Sequence, residues 1–305
     1  MQVFAGFDLG GTQLKYGLVD SRGQILLEQK AATPSTIEGL LHLLKNIWED
    51  LKRREKKGIK AVGFGFPGIY SLKKRRILQS PNYRELDNFE LNPALSRFIE
   101  VPFRVNNDAN LAAFGEFKCG AGKSVQSLVF LTIGTGVGSG IILDAKLWMG
   151  KCGYGGELGH MIVNPEGERC NCGGKGCLET EVSASKIVKK YNALRKAKEN
   201  ISSEEVFLRA KKGDEHARRA FAQAGYYLGI GLGTIINFLN PEKILIGGAV
   251  MAAGNLLLLP AIEEARKRAF KASFECCQIK KATLGNKAGF IGAAMWAKDQ
   301  LEKSG

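Results

Sequence analysis

Short apolar runs and turn residues alternate at the start of the chain. Residues 3–8 (VFAGFD) and 14–20 (LKYGLVD) are two such runs joined by LGGTQ, and the turn Ser21-Arg22-Gly23 leads to a third near 24–30. This pattern predicts three strands, the first two forming a hairpin with glycines at its tip. From Thr36 to about Glu55 the period changes, and Ile37, Leu40, Leu41, Leu44, Ile47, Trp48 and Leu51 recur at helical spacing, with Thr36 as N-cap and Gly58 near the far end. Strands are predicted at 61–66 and 101–105, and a helix from Asn110 to Phe117. A second hairpin, SLVFLTIGTGVGSGIIL at 127–143, repeats the design of the first. Helices follow at about 184–197, 203–212 and 214–239, where Pro241 closes the last. A strand at 243–246 enters Gly247-Gly248, then come a helix over about 256–270, a strand near 278–283 and a helix from Ala288 to about Leu301. Two glycine-tipped hairpins, each opening half of the chain, read as an internal duplication that sets two phosphate loops face to face.

Composition narrows the class. A chain of 305 residues with 45% hydrophobic and 24% charged content is an ordinary globular protein of about two domains, which excludes long disorder. The N-terminus MQVFAGFDLGG lacks the basic run of a signal peptide, and the longest apolar region, Tyr226 to Leu239, is too short to span a bilayer. A cytoplasmic protein with no membrane partner is expected. The net charge of +14 lies in short runs such as KRREKK at 52–57 and KKRR at 73–76, with no aromatic interleaving. That distribution argues against a nucleic-acid partner and leaves either a solvated lysine-rich surface or a general pull on phosphate-bearing substrates.

The densest chemistry lies in residues 155–179, GGELGHMIVNPEGERCNCGGKGCLE. His160, Cys170, Cys172 and Cys177 read as one closed site for a structural Zn²⁺, since three thiolates and an imidazole leave no coordination position for catalysis. Cys119, Cys152, Cys276 and Cys277 read as small buried hydrophobes. Glu157 and Glu179 flank the cluster, and a carboxylate can accept from two neighbouring hydroxyls, so the pair fits a polyhydroxylated ligand. Glycines at the first hairpin tip can present N–H groups to an anion, with Thr12 adding a hydroxyl and Asp8 a carboxylate suited to Mg²⁺. The same tip also reads as a plain hairpin turn. No GxxxxGK[ST] occurs, which excludes a strand-to-helix P-loop. GFGFPG at 63–68 brings a loop of little bulk to a strand end, either a ligand site or a simple turn. Asp108 reads as a helix N-cap or as a general base facing a substrate hydroxyl that Asn107 orients. Gly247-Gly248 reads as close packing or as a resting place for a nucleotide.

Together these segments resemble the ROK family of sugar kinases (repressors, open reading frames and kinases), over essentially the whole chain. The resemblance implies an α/β, two-domain actin-like ATPase (ribonuclease H-like) fold with a cleft between domains and a zinc-binding loop. Residues 1–116 plus 287–305 would form a small domain with the first phosphate hairpin. Residues 117–286 would form a large domain with the second hairpin, the zinc loop and the adenosine region. On the nucleotide side the family's motifs fall on Asp8, Gly10, Gly11, Thr12, Gln13 and Lys15, on Gly134, Thr135, Gly136 and Gly138, and on Gly247 and Gly248. On the sugar side they fall on Gly68, Asn107, Asp108, Glu157, His160 and Glu179, with Asp108 the general base. His160, Cys170, Cys172 and Cys177 match the zinc ligands. Gln13 stands where a lysine is frequent, and Ser139 replaces a glycine; neither removes a catalytic group.

The implied reaction is transfer of the γ-phosphoryl of ATP, with Mg²⁺, to a hexose hydroxyl, O6. Glucose is the first choice because Glu157 and Glu179 suit an unmodified hydroxyl pattern. Fructose, N-acetylmannosamine and N-acetylglucosamine are the alternatives, and polyphosphate the alternative donor. The family also holds transcriptional repressors with an added N-terminal DNA-binding segment, so a sugar-sensing regulator is the rival class. The first strand starts by residue 3, and no helix-turn-helix is expected ahead of it. A homo-oligomer, dimer or tetramer, is expected.

Overall fold

The structure is a computed structural model that describes residues 2–71, 73–80 and 83–303. In chain order these form β1 (Val3–Leu9), β2 (Gln13–Asp20), β3 (Ile25–Ala32), α1 (Ile37–Arg54), β4 (Ile59–Phe66), β5 (Ile69–Ser71), β6 (Arg76–Gln79), α2 (Leu91–Leu95), β7 (Phe103–Asn107) and α3 (Asp108–Cys119). There follow β8 (Leu128–Ile133), β9 (Val137–Leu143), β10 (Lys146–Trp148), α4 (Glu179–Val182), α5 (Ala184–Arg195), α6 (Ser203–Lys211), α7 (Glu215–Leu239), β11 (Lys243–Gly247), α8 (Asn255–Arg268), α9 (Lys271–Glu275), β12 (Gln278–Lys281) and α10 (Ala288–Glu302). Thr36 caps α1 as expected, its hydroxyl accepting from the Gly39 N–H at 3.2 Å. The sequence pattern does not predict β5, β6, α2, β10, α4 and α9, which run for three to five residues, too short for a period to show. The strand expected at 101–105 begins at Phe103 instead, where pairing with Val62 starts. Pro102 has no N–H to give a ladder and holds the start back.

The chain divides into two compact units: Met1–Ser124 with Gly140–Gly156 and Thr283–Gly305, and Val125–Ser139 with Glu157–Ala282. The expected first domain, residues 1–116 plus 287–305, is smaller than this first unit, which also takes in 117–124, 140–156 and 283–286. Glu116 is fully buried in α3, and its carboxylate accepts from the N–H groups of Ala121 at 3.0 Å, Thr283 at 2.9 Å and Leu284 at 2.6 Å. Those donors fix residues just past α3 and just before α10 onto the first unit. Gly140 also belongs there, because a Cβ at that position would come within 2.5 Å of the Ala113 Cβ on α3.

The first unit is built on a sheet of order β3-β2-β1-β4-β7. β1 and β2 are antiparallel up to the pair Leu9 and Leu14, while β4 is parallel to β1 and β7 to β4. Alternation along β1 sends Ala5, Phe7 and Leu9 into an apolar cluster with Leu40, Leu44, Ile47, Trp48 and Leu51 of α1. Phe4, Gly6 and Asp8 therefore take the opposite face, which α10 covers. The approach there is close enough to exclude side chains: a Cβ on Gly6 would lie 1.9 Å from the Phe290 carbonyl oxygen, and one on Gly63 would lie 1.8 Å from that of Ala293. Where α10 crosses α3, a Cβ on Gly292 would lie 1.7 Å from the Leu111 carbonyl oxygen.

The second unit holds β8 and β11, parallel with Thr132 opposite Gly247, and β12 parallel beyond them. These belong to a sheet of order β10-β9-β8-β11-β12. Its longest helix, α7, presents Gly225, Gly229 and Gly233 at every fourth position to α8, where each would meet an atom of α8 within 3 Å if it carried a Cβ. That spacing is one ridge of a helix, so the two axes draw together along it. Among the described residues no helix is long and apolar enough to cross a membrane.

Gly292→Ala is expected to lower stability by about 2–3 kcal/mol in urea unfolding, because its Cβ meets a backbone oxygen that no rotamer change can move. An unchanged midpoint would mean that α3 and α10 do not meet this closely.

Candidate functional site

In the first unit, parallel register sets the candidate residues in one row. Asp8 on β1 lies beside Gly65 on β4, and Gly65 beside Asn106 on β7, so the carboxyl ends of three strands open on the same side. This is where ligands of open α/β sheets bind. The tip between β1 and β2 is closed by the Gly10 N–H donating to the Gln13 carbonyl at 2.9 Å. Thr33 pins it from beside, its hydroxyl donating to the Gly10 carbonyl at 2.8 Å. Gly11 and Thr12 are left exposed at the tip. Asp8 and Lys15 are direct cross-strand partners. Burial pushes the Asp8 carboxyl up from 3.8 to about 6, with Lys15 pulling it back down.

The cap of α3 turns out to be Asn107. Its side-chain oxygen accepts from the Asn110 N–H at 3.0 Å, and its amide donates to the Gly68 carbonyl at 3.0 Å. Asp108 is the first residue of the helix, with its carboxylate accepting from the Ala109 N–H at 2.8 Å. The N-cap reading of Asp108 is thereby corrected: the cap position is taken by its neighbour. Asn107 also ties the GFGFPG loop to α3, a role beyond orienting a substrate hydroxyl. Gly68 must be glycine twice over, with φ of +103° and a Cβ position 2.1 Å from the Gln79 carbonyl oxygen.

In the second unit, the turn after β8 is closed by the Gly134 N–H donating to the Gly136 carbonyl at 2.9 Å, and the Gly134 carbonyl accepts from the Ala184 N–H at the start of α5. Thr135 is exposed at the tip, and Gly138 is half-buried on β9. Gly247 ends β11. Gly248 has φ of +88° and a Cβ position 2.3 Å from the Ile133 carbonyl oxygen, so close packing alone calls for glycine there. Ser139, the departure from a glycine, serves the structure directly. Its hydroxyl accepts from the Leu158 N–H at 2.9 Å and so holds the short turn that carries Glu157 and His160.

His160, Cys170, Cys172 and Cys177 place their ligand atoms within 4.8 Å of one another. Cys170 Sγ lies 3.7 Å from His160 Nδ1, and the sulfurs of Cys172 and Cys177 are 3.6 Å apart. Two ligands about 2.3 Å from a tetrahedral centre lie about 3.8 Å apart, so the donor set and its spacing fit zinc. Burial first, and neighbouring sulfurs second, push the Cys177 thiol up to about 12. A divalent cation would reverse that, since a coordinated thiol is deprotonated. The loop itself is laced by backbone bonds, with the Val163 and Asn164 N–H groups both donating to the Gly176 carbonyl. Asn164 also donates to Glu181, which pairs with Lys190 at 2.6 Å.

Glu179 sits at the meeting point of the knot and the glycine turn. One of its oxygens accepts from the Val137 N–H at 2.9 Å, and the other lies 3.8 Å from Cys170 Sγ. Burial pushes the Glu157 carboxyl up, His160 pulls it partly back down, and Glu179 adds a smaller push upward. Sequence reasoning missed Glu116, Glu181 and the second role of Glu179. A carboxylate set in the apolar stretch NLAAFGEF was the available signal for Glu116. Of the four cysteines expected to be buried, Cys277 is; Cys152 and Cys276 are exposed, and Cys119 is intermediate. Cys152 and Cys276 lie in turns, and Cys119 is the last residue of α3.

Because the folded pKa of Asp8 is raised, the stability tied to its protonated form is complete below about 3.8 and is lost as pH rises through about 6. Asp8→Asn is expected to make the metal-free, nucleotide-free protein more stable above pH 6 by on the order of 2 kcal/mol and to converge with wild type near pH 4, as read by denaturant unfolding across pH. Cys172→Ser is expected to abolish a zinc content of about one per chain in metal analysis and to lower the melting temperature by roughly 5–10 °C. Metal-free wild-type protein with an unchanged melting temperature would contradict the second expectation.

Residues 4–300 match the ROK family. A glucokinase of Halalkalibacterium halodurans is 34% identical over 99% of this chain and 96% of its own length. A ROK family glucokinase from Streptomyces griseus, solved in complex with glucose and AMPPNP, superimposes with a TM-score of 0.84 at 31% identity, covering 97% of this chain and 99% of that one. A xylose repressor of Caldicellulosiruptor bescii is 30% identical over 97% of this chain and 78% of the repressor. With a family match over nearly its whole length, this chain belongs to the ROK family.

Proposed function

We propose that the chain is an ATP-dependent hexose kinase that phosphorylates glucose at O6. The observation that carries this reading is the placement of Asp108: it opens α3 directly after β7, whose carboxyl end lies in one row with the ends of β1 and β4. Glucokinases among the relatives at 30% identity or more, and one solved with glucose and an ATP analogue, support the same reading.

In this reaction Asp108 accepts the proton of the attacking hydroxyl, late in the step, because the transition state of phosphoryl transfer is loose and its charge lies mainly on the phosphoryl oxygens. Backbone N–H groups of the two glycine turns hold the phosphates, and Lys15 adds charge beside Asp8. Mg²⁺, when bound with the nucleotide, neutralises phosphate charge, and Asp8 is the kind of oxygen donor such a cation takes. Glu157, Glu179 and His160 accept from or donate to the other sugar hydroxyls. With Nδ1 of His160 turned to the cysteine cluster, Nε2 is the nitrogen left for the sugar. Zinc held by the four ligands stiffens the loop that bears these groups and takes no part in the chemistry.

The relatedness to xylose repressors favours one second reading, a sugar-binding regulator without catalysis. A coupled ADP-release assay over glucose, fructose, mannose and the two N-acetylhexosamines, with ATP and polyphosphate as donors, separates the two. Turnover is expected with ATP and to be fastest with glucose; sugar binding without ADP release from any hexose would establish the regulator. Asp108→Asn is expected to lower kcat by about 10²–10⁴ with glucose affinity unchanged in calorimetry, and turnover near wild type in that variant would remove the general-base assignment.

A further inference from the structure

Asp8 lies one residue before the end of β1, on the face covered by α10, and the residue that stands over its carboxylate is Gly289, in the first turn of that helix. A Cβ on Gly289 would lie 2.2 Å from Oδ2, 2.3 Å from Cγ and 2.8 Å from Oδ1 of Asp8. The carboxylate thus rests against the bare backbone of the helix. Gly289 is not among the glycines with positive φ. Backbone conformation therefore gives no reason for glycine, and alanine is the better helix former at such a position. The reason lies outside the helix. The atom an added methyl would strike is also the movable end of a side chain, so the expected response is rotation of the carboxylate and not collapse of the packing.

We propose that Gly289 is a positioning residue for phosphoryl transfer: its lack of a side chain is what lets α10 seat the Asp8 carboxylate at the mouth of the first glycine turn, facing the nucleotide's phosphates and their cation. The inference rests on the assignment of Asp8 to the nucleotide side made above. The helix adds to the seat electrostatically, since the N-terminal end of a helix of 15 residues carries partial positive charge toward the carboxylate. Lys15 faces it from the neighbouring strand. The seat therefore combines a steric wall with two sources of positive potential, and substitution of Gly289 disturbs the wall alone.

A double-mutant cycle with Gly289→Ala, Asp8→Ala and the pair tests this by kinetics and by melting temperature. Gly289→Ala is expected to lower kcat by about 10²-fold and to raise the Mg²⁺ concentration needed for half-maximal rate, while glucose affinity in calorimetry stays within about twofold. In the Asp8→Ala background the same substitution is expected to cause no further loss of rate and to raise the melting temperature, because the clash is gone and the better helix former remains. Wild-type kinetics and Mg²⁺ dependence in Gly289→Ala, with Asp8→Ala inactive, would overturn the proposal and leave the kinase reading standing. Turnover near wild type in Asp8→Ala would overturn both. A fall in melting temperature from Gly289→Ala of equal size in both backgrounds would also overturn it, since the strain would then lie elsewhere.

Discussion

The first unit depends on backbone meeting backbone around α10, on the sheet side and on the α3 side. Gly6 of β1, Gly63 of β4, Gly115 of α3 and Gly292 of α10 each have another residue's main chain where a side chain would stand. Contact this close gains dispersion over many atom pairs, and it tolerates no added carbon. It also decides where the chemistry goes. α3 begins with Asp108 and crosses α10 at Gly115 and Gly292; near the end of β1, Asp8 lies beneath Gly289. Two acids far apart in sequence are placed by one helix that itself carries neither.

Polar groups finish what the glycines begin. Glu116 buries a carboxylate among three N–H groups and the Thr283 hydroxyl. Hydrogen bonds to a charged acceptor are stronger than neutral ones, and leaving such a charge unpaired would be costly, so the residues around it are held to one arrangement. The second unit uses a different device for its loop. Residues 161–178 have few apolar side chains to bury, and order comes from backbone bonds, from the Asn164–Glu181–Lys190 chain and from the four-ligand cluster. Glu179 passes that order on to the glycine turn through the Val137 N–H.

The legible parts of this protein were those whose chemistry is contiguous in the chain. Three cysteines within eight residues and two glycine-tipped hairpins announce themselves without any tertiary contact, and the long helices follow from apolar spacing. What stayed hidden depends on residues far apart in sequence. Gly289 looks like one glycine among 38, and only its approach to Asp8 sets it apart. Asn107 and Asp108 both suit a helix cap, and which of them takes it is settled by the register of β7 and the bond from Asn107 to Gly68. Ser139 read as a lapse from a glycine motif, yet it secures the turn bearing Glu157 and His160.

The kinase reading comes down to one acid and one hydroxyl. A crystal structure with glucose and a non-hydrolysable ATP analogue bound measures their separation directly. The account predicts a sugar hydroxyl about 2.6–3.2 Å from the Asp108 carboxylate. A bound glucose with every hydroxyl beyond hydrogen-bonding reach of Asp108 would contradict it.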